Sequence, residues 1–316
     1  MSHYKFKETD LVTHSSDYNL IFPWGLLIDE HHIYVVQQQG NVLTRYDLDG
    51  KNGFNISYYT ENGYRINDVG PTGIVKNPTD GFLVSDGKHK HSSTYLICAH
   101  SGDIFGYNKK IGDKAYRLYA GSVINPIAPY YRSWYKGLAV RGKYIFAADF
   151  LNGKIDVLKD IGDVNSIELK NSITKYGITA PNFASPFNVV FLNDELYVLY
   201  AYKNNSNDVF DNGTGGFIDI HNKHGVYDRH FNNTDTDMKS PYGLIKYHDK
   251  ILVTNYGSGK INVYNDEGKR INEFHDCDNT DISINGLLSL YKYHGKIYFT
   301  ATGSLGVMGY IRKCKN

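Results

Sequence analysis

Cysteine is scarce in this chain of 316 residues: three, Cys98, Cys277 and Cys314, odd in number and far apart. That spacing offers neither a disulfide framework nor a zinc site, and it points to a reducing compartment. Charge of one sign is also lacking, since 34 Lys plus Arg face 33 Asp plus Glu for a formal net charge of +1. With no global field, neither nucleic acid nor an acidic membrane surface is an expected partner. No run of 18 apolar residues occurs, and the N-terminal stretch has no apolar core of signal-peptide length. Neither a membrane span nor a signal peptide is therefore expected, and cytoplasmic or virion-associated residence is the expectation. The chain also lacks a G-x-S-x-G elbow, a Walker loop, an H-E-x-x-H pair and an EF-hand loop, so no motif supplies hydrolytic, phosphate-binding or metal chemistry.

What the chain has is repetition. Gly137 to Val157, GLAVRGKYIFAADFLNGKIDV, matches Gly243 to Val263 without a gap 106 residues downstream. Shifted 112 residues upstream, the same pattern falls on Gly25 to Thr44 and beyond. Each copy reads as short strands: an apolar start after Gly, a turn, a β-branched run, a Gly-containing tight turn and a second apolar run. Tyrosine, at 28 residues, supplies much of the material for half-buried strands.

Six such openings, near Gly25, Gly73, Gly137, Asn188, Gly243 and Gly286, lie 48, 64, 51, 55 and 43 residues apart. Each is followed by about four short strands, which predicts an all-β fold, a six-bladed β-propeller of four-stranded antiparallel blades forming one domain over residues 1–316. The second blade is expected to take its strands from GIV, FLV, TYLICAH and DIFGYN. The last opening leaves room for only three strands, so the alternating segment at residues 4–13 is expected to supply the fourth and close the ring. Between the second and third blades, Tyr119 to Trp134 reads as a long connection whose aromatics, Tyr119, Tyr130, Tyr131, Trp134 and Tyr135, could anchor a partner or pack in the core.

The motifs PWGLLID (23–29), GPTGIV (70–75), YKGLAV (135–140), AADFLNGKIDVL (147–158), SPFNVV (185–190), GTGGFIDIHNKHG (213–225), SPYGLI (240–245) and VTNYGSGKINVYN (253–265) occur in that order across nearly the whole chain. In them the chain resembles an uncharacterised bacterial family of exported six-bladed propeller proteins and, more distantly, NHL-type and lactonase-type propellers. The resemblance implies the fold and carries no established activity. No export signal is expected here, in which the chain would depart from that family.

In a propeller the start of each inner strand and the end of the next strand meet at one channel mouth, where side chains from every blade converge. The residues before the repeat Gly are Trp24, Thr72, Lys136, Phe187, Tyr242 and Asn285, and those at the end of the second strand are Gln37, His100, Asp149, Tyr200 and Asn255. A ligand site is expected among Lys136, Asp149, His100, Asn255, Gln37, Tyr242, Trp24, Asn285 and Asn188. Lys136 would either pair with Asp149 or hold an anionic ligand, because a buried ammonium needs a partner. His100 is the best placed of 13 histidines for acid–base work, though a structural role is the leading reading for it. His89 and His91 lack ligand spacing, and the Gly-rich Asp211 to Gly216 precedes a strand rather than a helix. The reading is a non-enzymatic binding or scaffold module, a monomer without cofactor or metal, that engages a protein partner or a small polar or anionic ligand at the mouth. The alternative is a metal-dependent, lactonase-like hydrolase or lyase. Asp149, Asn255, Asn188 and Asn285 would then be its metal ligands.

Overall fold

The computed structural model describes residues 5–121, 132–174, 183–231 and 237–314. Strands dominate, with two single-turn 3-10 helices, Lys109–Ile111 and Gly303–Leu305, as the helical elements among the described residues. The strands form up-and-down antiparallel meanders. The first runs through Pro23–Ile28, His32–Gln37, Val42–Asp47 and Phe54–Tyr59, and the second through Pro71–Lys76, Tyr95–Ala99, Asp103–Tyr107 and Lys114–Ala120. The third consists of Tyr135–Arg141, Tyr144–Asp149, Lys154–Asp160 and Ile167–Ile173, and the fourth of Ala184–Leu192, Glu195–Tyr202, Gly216–His221 and Tyr227–His230. The fifth takes Pro241–Tyr247, Lys250–Asn255, Lys260–Tyr264 and Arg270–Glu273. In the last sheet Leu287–Tyr293, Lys296–Ala301 and Val307–Lys313 are joined by Phe6–Thr13 from the other end of the chain, paired from Phe6↔Lys313 to Thr13↔Val307.

The first strand of each meander touches the first strand of the next, and that of the last touches Pro23–Ile28. The repeat glycine is what allows this convergence. A Cβ on Gly243 would sit 2.5 Å from the Leu288 carbonyl oxygen, and one on Gly25 would sit 2.9 Å from both Ile74 N and Thr72 O, distances no real Cβ tolerates. The register shifts by a residue beside this position in all six of these strands, for example between Pro23 and Leu26 and between Pro241 and Leu244, the bulge that goes with close backbone approach. Polar side chains stitch the junctions. Thr72 Oγ1 donates to Tyr135 O at 2.9 Å, Asn188 Nδ2 to Tyr242 O at 2.8 Å, Thr254 Oγ1 to Leu288 O at 2.6 Å, and Thr300 Oγ1 to Trp24 O. Between the sheets lie apolar clusters such as Phe82, Leu96, Leu138, Ile145 and Leu158.

Three expectations are corrected. The FLV segment does not enter the second meander: Leu83–Ser85 pairs with Lys90–Ser92 in a side hairpin, and Lys114–Ala120 takes the fourth place. That strand also pairs in parallel with Phe54–Tyr59 (Lys114↔Ser57 to Tyr116↔Tyr59), fusing the first two meanders into one nine-stranded sheet. Cys277 and Cys314 form a disulfide, with Cα atoms 5.9 Å apart, while Cys98 is buried and free. The chain folds back so that the strand before Cys314 lies beside the segment after Arg270–Glu273, a neighbourhood that linear spacing does not reveal. The cysteine count therefore no longer argues for a reducing compartment.

Candidate functional site at a plugged channel mouth

Three large rings from three meanders meet where the inner strands begin. Trp24, Phe187 and Tyr242 stand edge to face, with centroids 5.9 Å (Trp24–Phe187), 5.4 Å (Trp24–Tyr242) and 5.3 Å (Phe187–Tyr242) apart. The Tyr242 hydroxyl donates to Lys136 O at 2.9 Å and lies 3.2 Å from Thr72 O, tying the fifth meander to the second and third across the channel. All three rings are buried, and they close the channel.

Against this plug lies Lys136, 1% exposed. Its Nζ faces rings: Trp24 at 4.7 Å, Phe150 at 5.4 Å, Phe210 at 5.6 Å and Phe187 at 5.8 Å. Among the described residues no carboxylate lies within ion-pair distance of it, and the expected pair with Asp149 is not formed. Burial lowers its pKa from 10.5 to about 7, opposed only by the more distant Asp211. Ring faces attract a cation but do not replace a counter-ion. Nearby, His100 packs on Trp24 (5.4 Å) and Trp134 (4.7 Å). Burial first, then the charges of Lys136 and Arg132, holds its pKa well below the usual range, so the ring is neutral. Its Nδ1 lies 3.3 Å from Gln38 Nε2. With the carboxamide nitrogen as donor, Nδ1 accepts and the proton sits on Nε2. His100 Nε2, Trp24 Nε1 and Trp134 Nε1 are all buried without a hydrogen-bond partner among the described residues.

A loop from the fourth meander runs over the cage. Lys203 Nζ donates to Phe150 O (3.2 Å), Leu151 O (3.1 Å) and Ser206 O (2.9 Å), and Asn212 N donates to Tyr202 O at 2.8 Å. These bonds hold the loop whose Phe210 ring, 66% exposed, covers Lys136.

The expected polar ring proves to be part of the frame. Gln37 Oε1 accepts from Ile21 N at 2.7 Å, Asp149 Oδ1 from Trp134 N at 3.0 Å, and Asn255 Oδ1 from Lys239 N at 2.8 Å. Each therefore fixes the segment entering its own inner strand. Asp149 Oδ2 also accepts from Asn152 Nδ2 at 2.7 Å and lies 3.7 Å from Lys154 Nζ, and burial raises its pKa. Asn188 is spent on Tyr242 O, with its Oδ1 accepting from Val189 N at 2.8 Å. Among the described residues no three His, Cys, Asp or Glu side chains cluster as a metal site would require.

Two register errors explain the rest. Pro23 pairs with Gln37 and Leu287 with Ala301, so the sixth counterpart of Trp24 is Leu288, which packs in the same cluster. Asn285 precedes the strand and is exposed. Pro71 pairs with Ala99, so His100 stands one residue beyond Gln37 and Asp149, level with Gln38, Phe150 and Tyr256. Those three went unnoticed in the sequence. Counting one residue past each strand end would have found them. Tyr130 and Tyr131 lie outside the described residues, and Tyr135 is a core residue whose hydroxyl donates to Asp156 at 2.9 Å.

No family model matches the chain. Three uncharacterized proteins of Acanthamoeba polyphaga mimivirus are similar to it, at 29% identity over 269 residues, 26% over 278 and 30% over 291. The matches cover 81%, 85% and 85% of this chain, which spans 64%, 72% and 51% of theirs, so the first and third relatives extend well beyond it. Among solved structures it is similar to virginiamycin B lyase from Staphylococcus aureus (TM-score 0.56, 15% identity, 98% of this chain and 99% of that one). It is also similar to a chain of a nidogen–laminin complex (0.58, 14%, 88% and 88%) and to the Neurospora crassa Pan2 WD40 domain (0.57, 11%, 100% and 98%). At such identities the likeness establishes the fold, a β-propeller, alone. The bacterial family suggested by the motifs remains a resemblance.

Proposed function

We propose that the chain is a single six-bladed β-propeller acting as a binding module, whose plugged mouth takes a small oxyanion, a carboxylate or phosphate. One observation carries this reading: a buried ammonium and three buried N–H groups, those of Trp24, Trp134 and His100, stand together with no acceptor among the described residues. A buried donor without an acceptor costs about 1–3 kcal/mol, and an oxyanion would satisfy several such donors at once and supply the charge Lys136 lacks. Calorimetric titration with citrate and with phosphate tests it. Saturable binding is expected, weakened at least tenfold by Lys136→Met, whereas equal affinity in both proteins would overturn the reading.

A second reading, a protein partner presenting an acidic side chain, is favoured by the exposed Phe210 beside the cage, since aromatic groups at a rim anchor interfaces. The nidogen–laminin structure shows the fold in a protein complex. The metal-dependent hydrolase or lyase finds less support, because the oxygens of Asp149, Asn188 and Asn255 already accept hydrogen bonds within the fold.

A further inference from the structure

Beyond the plug, on the side away from Lys136, the channel widens into a cavity of about 320 Å³. All six inner strands line it, with apolar side chains such as Leu27, Ile74, Leu138 and Val189 beside a nearly equal polar share of the wall, and Tyr242 at one end. Its size falls at the lower end of the range for small-molecule sites. Lys76 and Ser289 also line it, and neither side chain has a hydrogen-bond or ion-pair partner among the described residues. Lys76 is exposed at the end of its inner strand and also borders a neighbouring hollow of about 430 Å³ that shares Leu27 and Tyr291 with the cavity.

The other charged groups of that hollow are Asp29, Glu30, Lys109 and Lys292, with His31 beside them. Asp29 is occupied: its oxygens accept from His31 N (2.8 Å), His32 N (2.7 Å) and the Tyr95 hydroxyl (2.8 Å). Lys292 Nζ lies over the Tyr247 ring at 5.2 Å. Lys76 is therefore the cation at the junction of the two spaces without an assigned partner.

We infer that this cavity binds a small amphipathic anion, an aliphatic carboxylate with its chain inside the channel and its headgroup on Lys76. The inference is independent of the reading given to the plugged mouth, because Tyr242, Trp24 and Phe187 separate the two sites. An apolar wall without a cation would not discriminate acid from alcohol, and a cation without the wall would not discriminate octanoate from acetate. The pairing of the two specifies the class.

Titrating the full chain with acetate, butyrate, hexanoate, octanoate and octanol at matched ionic strength tests it. Affinity is expected to rise by about fourfold per methylene from butyrate upward, and octanol to bind more weakly than octanoate. Lys76→Ala, at an exposed position the fold does not depend on, is expected to weaken octanoate about tenfold, Lys76→Arg to retain it, and Lys136→Met to leave it unchanged. No saturable octanoate binding, no dependence on chain length, equal binding by Lys76→Ala, or loss of octanoate binding in Lys136→Met with retention in Lys76→Ala would each overturn it.

Discussion

The two ends of the channel are made by the same six strands and are opposite in character. Where the strands begin, Trp24, Phe187 and Tyr242 meet ring to ring and bury Lys136. A single residue further on stand Gly25, Gly73, Asn188, Gly243 and Ser289, with Leu138 in the third strand, and with them the walls of a cavity open. One step along a strand turns a side chain to the opposite face, so adjacent positions serve separate purposes: one fills the channel and the next lets the strands come close. Burial and lost solvation govern the first end, while space and one exposed cation govern the second. Chemistry aimed at one should leave the other untouched, which makes the difference testable.

The largest effect is expected from breaking the plug. Phe187→Ala removes a fully buried ring that contacts Trp24, Tyr242, Phe150 and the Lys136 ammonium. It should cost about 3–5 kcal/mol in denaturant unfolding and join the two compartments, so that octanoate and citrate, independent in the parent, begin to compete. An unfolding free energy within about 1 kcal/mol of the parent, well below the range for truncating a buried Phe to Ala, would mean the plug does not close the channel.

Next comes pH. Lys136 titrates at about 7 in the folded chain against an ordinary lysine value of 10.5. Between those values the unfolded chain holds the proton more tightly, so stability rises with pH across the window. This contribution is complete above 10.5 and is lost as pH falls towards 7; between pH 7 and pH 10 it should change stability by about 3–4 kcal/mol. Lys136→Met should abolish that slope while Lys76→Ala keeps it, as melting curves of the three proteins at pH 7, 8, 9 and 10 will show.

The disulfide sharpens the contrast from outside. It joins residues 37 positions apart in sequence, holding the last sheet to the segment that precedes it. Cys277→Ser should lower stability by about 2–4 kcal/mol without changing the affinity for either citrate or octanoate. A change in either affinity would show that one end of the channel depends on how the outer edge of the ring is held. The smallest effect belongs to a single stitch: Asn188→Ala loses the bond to Tyr242 O and should cost about 1–2 kcal/mol, read by the same unfolding assay.

The sequence made the repeat legible because each copy must satisfy the same contacts: a small residue where inner strands converge, β-branched residues between sheets, a turn between strands. It misled where a copy satisfies the contact differently. In the sixth copy Gly286 mimics the repeat glycine but serves a turn at φ 71°, and the small residue at the convergence is Ser289. Asn285 therefore reads as a ring residue in sequence although it precedes the strand. FLV carries strand-like residues, yet its partner is the local hairpin strand Lys90–Ser92, and local preference cannot tell a blade strand from an insertion. The polar residues at the strand ends looked like ligands because their backbone partners, Ile21, Trp134 and Lys239, come from loops whose path sequence does not give. Lys136 stood out correctly as an inward cation. Its surroundings did not, since Phe150 and Phe210 lie on different strands and loops and meet it only in the folded chain.

The account turns on Lys136 being a buried amine that waits for an oxyanion. Its side-chain nitrogen can be followed by lysine-selective NMR over pH 5–11, assigned by comparison with Lys136→Met, in the absence and presence of saturating citrate. One lysine titrating near 7 and shifting upward when citrate binds, as linkage between a cation and its anion requires, is the predicted result. A Lys136 that titrates near 10.5 and ignores citrate would contradict it.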